Sequence, residues 1–210
     1  RGKAASSAGE AELLSGKHYA TLALLNRLRR QADVAYAEPN YRMYPHRHPN
    51  DNCYALQWHY NAINLPAAWD TSTGSANPDI IVAVADTGVL LDHPDLDPKL
   101  VAGYDFISDA ARANDGDGID ANPDDPGDES LPDGRGSFHG THVAGTVAAA
   151  SDNIIGVAGV SWGAQIMPLR VLGIGGGSSY DIRQAMLYAA GLPNDSGTVP
   201  PNPAHIVNLS

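Results

Sequence analysis

Cysteine is almost absent. Cys53 is the only one in 210 residues, which excludes an internal disulfide and leaves either an inert free thiol or a partner outside the chain. Positive charge is scarce: 13 Lys and Arg stand against 24 Asp and Glu, a formal net charge of -11. That balance argues against a nucleic-acid partner, because neutralising phosphates takes Lys and Arg. No apolar run approaches the roughly 20 residues of a membrane-spanning helix, so the expectation is a soluble protein with no membrane partner. No signal-peptide pattern is visible from Arg1 onward. What is present, 43% hydrophobic residues in 22.0 kDa, is enough for one ordinary domain with a sizeable core and an appendage.

The first 16 residues are rich in Ala, Ser and Gly and read as loop. Thr21 is placed to cap a helix running to Arg30, with Leu22, Leu25 and Leu28 at spacing three. Residues 33–37 read as a strand, broken at Glu38-Pro39-Asn40, before a His- and Pro-rich connector that holds a boundary between Tyr44 and Asn50. The two regions are therefore 1–49, a small α+β remnant, and 50–210. In the second region Ile80-Ile81-Val82-Ala83-Val84-Ala85 reads as a buried strand ending on Asp86, and residues 165–171 as another. A helix follows from about Asp181 to Ala190, with Ile182, Ala185, Met186 and Ala189 on one face, and residues 205–209 begin a third strand. This alternation predicts an α/β fold, a parallel sheet with helices on both faces, whose ligand sites lie beyond the carboxyl ends of the strands.

Asp86 stands at one such end. His139 opens a small-residue stretch, Phe138-His139-Gly140-Thr141-His142-Val143-Ala144-Gly145. A carboxylate held against an imidazole fixes its tautomer and stabilises the imidazolium formed when it accepts a proton, so Asp86 and His139 have the residue types of two thirds of a catalytic triad. A zinc site using His139, His142 and Asp86 is the competing reading. It lacks the glutamate of a His-Glu-x-x-His helix, so His142 reads as a packed helix residue. Ten acids lie between Tyr104 and Gly134 against a single base, Arg112. Within them Asn114-Asp115-Gly116-Asp117-Gly118-Ile119-Asp120 alternates hard oxygen ligands with glycines, so Asp115, Asp117 and Asp120 are candidate calcium ligands; a solvated acidic loop is the alternative.

Three motifs in order, Val84-Ala85-Asp86-Thr87-Gly88-Val89, His93-Pro94-Asp95-Leu96 and His139-Gly140-Thr141-His142-Val143-Ala144-Gly145, resemble the signatures of the subtilisin-like serine proteases, the subtilases. The resemblance covers residues 51–210. It implies a secreted, calcium-stabilised, monomeric serine endopeptidase acting on proteins or peptides, with Asp86 orienting the base and His139 as general base. The chain order Asp, His, Ser is itself a known property of subtilisin. The family's nucleophilic serine, in a Gly-Thr-Ser-Met-Ala segment, and its oxyanion-hole asparagine fall after the stretch matching Ser210. This chain by itself is therefore expected to be inactive, and a non-catalytic calcium-binding pseudoprotease is the alternative.

The same resemblance reads region 1–49 as the end of a propeptide, a built-in chaperone and inhibitor. It implies a further calcium site from Asp51, Asp95 and Asn153 with the carbonyls of Ile155 and Val157. Gly175, Gly176, Gly177 and Ser178 offer an unencumbered edge for pairing with an extended peptide. The family uses this segment, with the one matching Leu209 and Ser210, as the two walls that grip substrate, and Tyr180 resembles the lid of an outer pocket.

Overall fold

The computed structural model describes residues 19–39, 47–129 and 131–210, and divides into two compact units, residues 1–45 and 46–210. In the first unit residues 19–28 form a helix, α1. Thr21 lies inside it rather than capping it, and Leu25 is buried while Leu22 and Leu24 are exposed. The strand expected over residues 33–37 does not form: the chain there is turn and irregular, with Tyr36 exposed. A strand needs a neighbour to take its main-chain groups, and none lies among the described residues of this unit. Ala37 instead accepts a hydrogen bond from Arg29 Nε at 2.8 Å. The loop read over residues 1–16 and the start of the connector, residues 41–45, lie outside the described residues.

The second unit is built on a four-stranded sheet. In chain order the strands are β1 (Ile81–Asp86), β2 (Tyr104–Asp105), β3 (Gln165–Arg170) and β4 (Ile206–Leu209), arranged β2-β3-β1-β4 with every pairing parallel. The helices are α2 (Trp58–Ala62), α3 (Leu65–Thr71), α4 (Ala110–Ala113), α5 (His139–Ala148) and α6 (Ser179–Ala189).

The period of two along each strand sorts its side chains between two cores. Ile81, Ala83 and Ala85 of β1, with Met167 and Leu169 of β3, pack against Ala185, Tyr188 and Ala189 of α6. Val82 and Val84, with Ile166, pack on the other face against Ala144 and Ala148 of α5. Both faces of β1 are thus buried, which is why the strand reads as an unbroken apolar run. The sheet with helices on both faces is the expected fold.

Details depart from expectation. The helix α6 begins at Ser179, because Ser178 Oγ caps it by accepting from Asp181 N at 3.0 Å. Met186 is exposed, and the large residue facing the core is Tyr188, in tilted ring contact with Tyr104 and Phe106 at centroid distances of 5.4 and 5.6 Å. The two-residue β2 and four-residue α4 carry too few positions to show a period. A third cluster, Tyr60, Leu65, Trp69 and Ala158, is gathered by α2 and α3; Gln57 and Tyr60 reach the Ala158 carbonyl at 2.9 and 2.8 Å.

Candidate active site

The carboxyl end of β1 and the amino end of α5 meet at the site. Asp86, the last residue of β1, is fully buried, and one of its oxygens accepts from Thr87 N at 2.8 Å. His139 is the first residue of α5 and its side chain is half exposed. Its Nδ1 lies 2.8 and 3.0 Å from the two Asp86 carboxylate oxygens. With Asp86 accepting from Nδ1–H, the lone pair sits on Nε2, the arrangement a general base requires.

The approach of the two elements depends on a missing side chain. A Cβ on Gly140 would stand 2.2 Å from the Gly88 carbonyl oxygen and 3.1 Å from Asp86 Cβ. Thr87 then ties the elements together: its Oγ1 accepts from Gly140 N at 3.0 Å and donates to Asp125 Oδ2 at 2.6 Å. Asp125 is buried and accepts a second bond from Gly127 N at 2.9 Å; burial raises its pKa, and the bond from Thr87 opposes the rise. The next residue, Thr141, accepts through Oγ1 from Leu90 N at 3.0 Å. Phe138, immediately before the histidine, is held in the left-handed region at φ 51°, a strained conformation for a bulky side chain. Ser137 Oγ accepts from His139 N at 3.2 Å and donates to Asp128 Oδ2 at 2.9 Å. The pair was legible in the sequence. The Thr87–Asp125 brace was not, because Asp125 stood in an acidic run read as calcium-binding or solvated, with nothing local to single it out.

His139 lines a cavity of about 590 Å³ with Thr87, Ser137, Leu172, Gly175, Gly176 and Ser210 among its walls. Of the predicted substrate residues, then, Gly175, Gly176 and Ser210 share a cavity with the histidine. Gly177 packs where a Cβ would meet the Val171 carbonyl at 2.3 Å, Ser178 caps α6, and Tyr180 and Leu209 are exposed outside the cavity lining. Ser210 Oγ donates to Asn208 Oδ1 at 2.7 Å. His142 is not packed: it is exposed and lines a separate cavity of about 440 Å³ with His59, His93 and Asp95. The helix α5 buries Gly140, Ala144, Gly145 and Ala148, a face that His142 does not share.

The acidic stretch is partly interior. Arg170, at the end of β3 and in register with Asp86, is buried and bonds through Nη1 to Asp105 Oδ2 and, at 2.6 Å, to Asp115 Oδ2. Its Nη2 donates to the Ala113 carbonyl. Burial pushes the Asp105 carboxyl up to about 7, against the pull of Arg170. A base outside the stretch therefore neutralises Asp115. Asp117 is exposed, and Asp120 accepts from Asn122 N at 2.8 Å.

The other proposed ligands converge more closely. Asp95 is buried and accepts from Asn153 Nδ2 at 3.1 Å and Val157 N at 2.8 Å. Asp51 Oδ2 accepts from Asp152 N at 2.8 Å, and Asp51 Oδ1 is buried with no hydrogen-bond partner among the described residues. Burial chiefly, with repulsion from Asp95 in addition, raises the Asp51 pKa. Among the described residues no group of three or more His, Cys, Asp or Glu side chains is placed to hold a metal ion. Cys53 is a free thiol, and no helix among the described residues is long and apolar enough to cross a membrane.

A sequence profile of the subtilase family matches residues 77–210. The chain is 42% identical over 193 residues to the extracellular basic protease of Dichelobacter nodosus, an alignment covering 85% of this chain and 32% of that protein. It is 41% identical over 199 residues to an extracellular protease of Xanthomonas campestris, covering 89% of this chain and 34% of the other. A solved protease structure from Pseudoalteromonas arctica superposes with a TM-score of 0.69 at 44% identity, covering 77% of this chain and 50% of that one. The chain spans about a third of the length of the two curated relatives it matches.

Proposed function

The chain belongs to the subtilase family, and on that premise we propose that it carries the acid and the base of a secreted serine endopeptidase. The observation that carries this reading is the buried Asp86 carboxylate 2.8 Å from Nδ1 of His139, whose side chain lines a cavity. In the proposed reaction His139 Nε2 takes the proton of a serine hydroxyl as that oxygen attacks the scissile carbonyl, and later returns it to the leaving amine. Asp86 keeps the imidazole in its tautomer and stabilises the cation formed. The serine is proposed to come from the part of the protein that the relatives have and this chain does not span. Gly175, Gly176 and Ser210, on the cavity wall, are proposed to pair with the substrate main chain, with Leu209 extending that wall. The extracellular relatives support secretion.

Calcium is proposed at Asp51, Asp95 and Asn153 with the carbonyls of Ile155 and Val157. The residues fit a hard cation: two carboxylates are removed from water, and one oxygen, Asp51 Oδ1, is buried unpartnered. A bound cation there would neutralise the pair and brace the loop that carries Asn153. We do not extend this to Asp115, Asp117 and Asp120, because Asp115 already serves Arg170. Residues 1–49 are proposed as the end of a propeptide, on the resemblance of their pattern. The test of the catalytic reading is peptide hydrolysis by the full-length protein recovered from culture medium, with and without a serine-directed fluorophosphonate. Hydrolysis that the reagent stops is expected; no hydrolysis, or hydrolysis that the reagent leaves intact, refutes it.

A further inference from the structure

Arg112, the one base in the acidic stretch, directs its guanidinium at main-chain oxygens. Nε donates to the Ile174 carbonyl at 3.2 Å, and Nη2 donates to the carbonyls of Gly175 at 3.1 Å and Gly176 at 2.8 Å. The Arg112 carbonyl in turn accepts from Ile174 N at 2.9 Å. Three consecutive carbonyls of the cavity wall thus converge on one planar cation. Arginine's fork of fixed donors suits this geometry, and a lysine ammonium does not reproduce it.

The segment needs such a hold. Gly175 and Gly176 lie at φ +74° and +95°, and a Cβ on either would meet nothing within 4 Å among the described residues, so no described side chain packs on them. Glycine also has the most backbone freedom to lose. The Gly173–Gly176 bonds, at 3.2 and 2.9 Å, close the turn on itself but do not fix it to the body of the protein. Arg112 does so from α4, a helix capped by the Asp109 side chain and held at its far end where Arg170 takes the Ala113 carbonyl. The Gly175 N–H donates to no acceptor among the described residues, so the clamp engages the carbonyls and leaves a main-chain donor for a peptide.

We propose that Arg112 is a positioning residue for substrate, setting residues 174–176 in the conformation that pairs with an extended peptide. The inference rests on the protease reading and deepens it. A wall disordered in the free enzyme must be ordered at each binding event, so loss of the clamp weakens binding of the residues that lie along the wall and leaves proton transfer at His139 alone.

The test uses the full-length protein, its Arg112→Ala and Arg112→Lys variants, a peptide amide with four residues before the scissile bond, and an ester of a single amino acid. Arg112→Ala is expected to raise KM for the long peptide about tenfold with kcat changed less than about twofold, while the ester changes by less than about twofold in kcat/KM. Arg112→Lys keeps the charge and is expected to behave as the alanine variant does. Amide hydrogen exchange across residues 173–177 should quicken in both variants, at thermal midpoints close to that of the parent. An unchanged KM for the long peptide, equal losses on both substrates, or full rescue by lysine overturns the proposal. A parent protein that cleaves neither substrate refutes the protease reading itself; faster exchange in the variants would then show the clamp to be structural only.

Discussion

Replacing Gly140 with alanine tests whether the site depends on the close approach of α5 to β1. The added Cβ would lie 2.2 Å from the Gly88 carbonyl oxygen, where ordinary contacts begin at 3.4 Å. Gly88 belongs to the turn after β1 and the nearby Asp86 to the buried strand, so the helix start must move, by about 1 Å. That movement takes His139 Nδ1 from 2.8 Å towards the limit of hydrogen bonding and loosens the 3.0 Å bond between Gly140 N and Thr87. A 1 Å misplacement of a catalytic group costs roughly a hundredfold in rate, about 2.7 kcal/mol of transition-state stabilisation. The assay is kcat/KM of the full-length protein on a peptide amide, with circular dichroism and a thermal midpoint to show that the variant folds. Gly145→Ala is the control on the same helix. A Cβ there meets nothing within 4 Å among the described residues, so it should keep activity and gain about 1 kcal/mol from helix propensity. A folded Gly140→Ala variant within about threefold of the parent would refute the reasoning.

Thr87→Val removes both hydrogen bonds of the brace and leaves a buried Asp125 oxygen without its donor. The expected loss is about 1–3 kcal/mol, read as a thermal midpoint lowered by several degrees; an unchanged midpoint contradicts the brace. Stability between about pH 4 and pH 7 should carry a falling contribution from Asp105, whose carboxyl pKa is raised on folding to about 7, and Asp51 and Asp125, also raised by burial, add a fall of the same sign. Through that window the folded state holds protons that the unfolded chain has released, so rising pH favours unfolding. Asp105→Asn should flatten the fall in urea midpoint over this range, and a steeper fall in the variant would contradict the assignment. Calcium bound at Asp51 and Asp95 should raise the urea midpoint at neutral pH in a way that chelator reverses. The Asp51→Asn variant should respond less, and an equal response excludes Asp51 as a ligand.

What the sequence shows clearly is what a period or a motif reports. Ile81 to Ala85 are apolar at every position because both faces of β1 are covered, and Asp86 and His139 stand in distinctive short motifs at element ends. What stayed hidden depends on partners far away in the chain. Residues 33–37 have the composition of a strand and, among the described residues of their unit, no neighbour to make them one. Asp125 looks like the other acids of its run until Thr87, 38 positions earlier, is found bonded to it. Asp115 resembles a calcium ligand until Arg170, 55 positions on, takes its carboxylate. Arg112 shows as an isolated base, and nothing local says that its donors meet three carbonyls more than 60 positions later.

The account turns on His139 acting as the base for a serine, with Asp86 behind it. Labelling of the full-length protein by a fluorophosphonate probe, compared with its His139→Ala variant at matched folding, measures that directly. The parent should label and the variant should not, since an unassisted serine is a poor nucleophile. Undiminished labelling of His139→Ala would contradict the central claim.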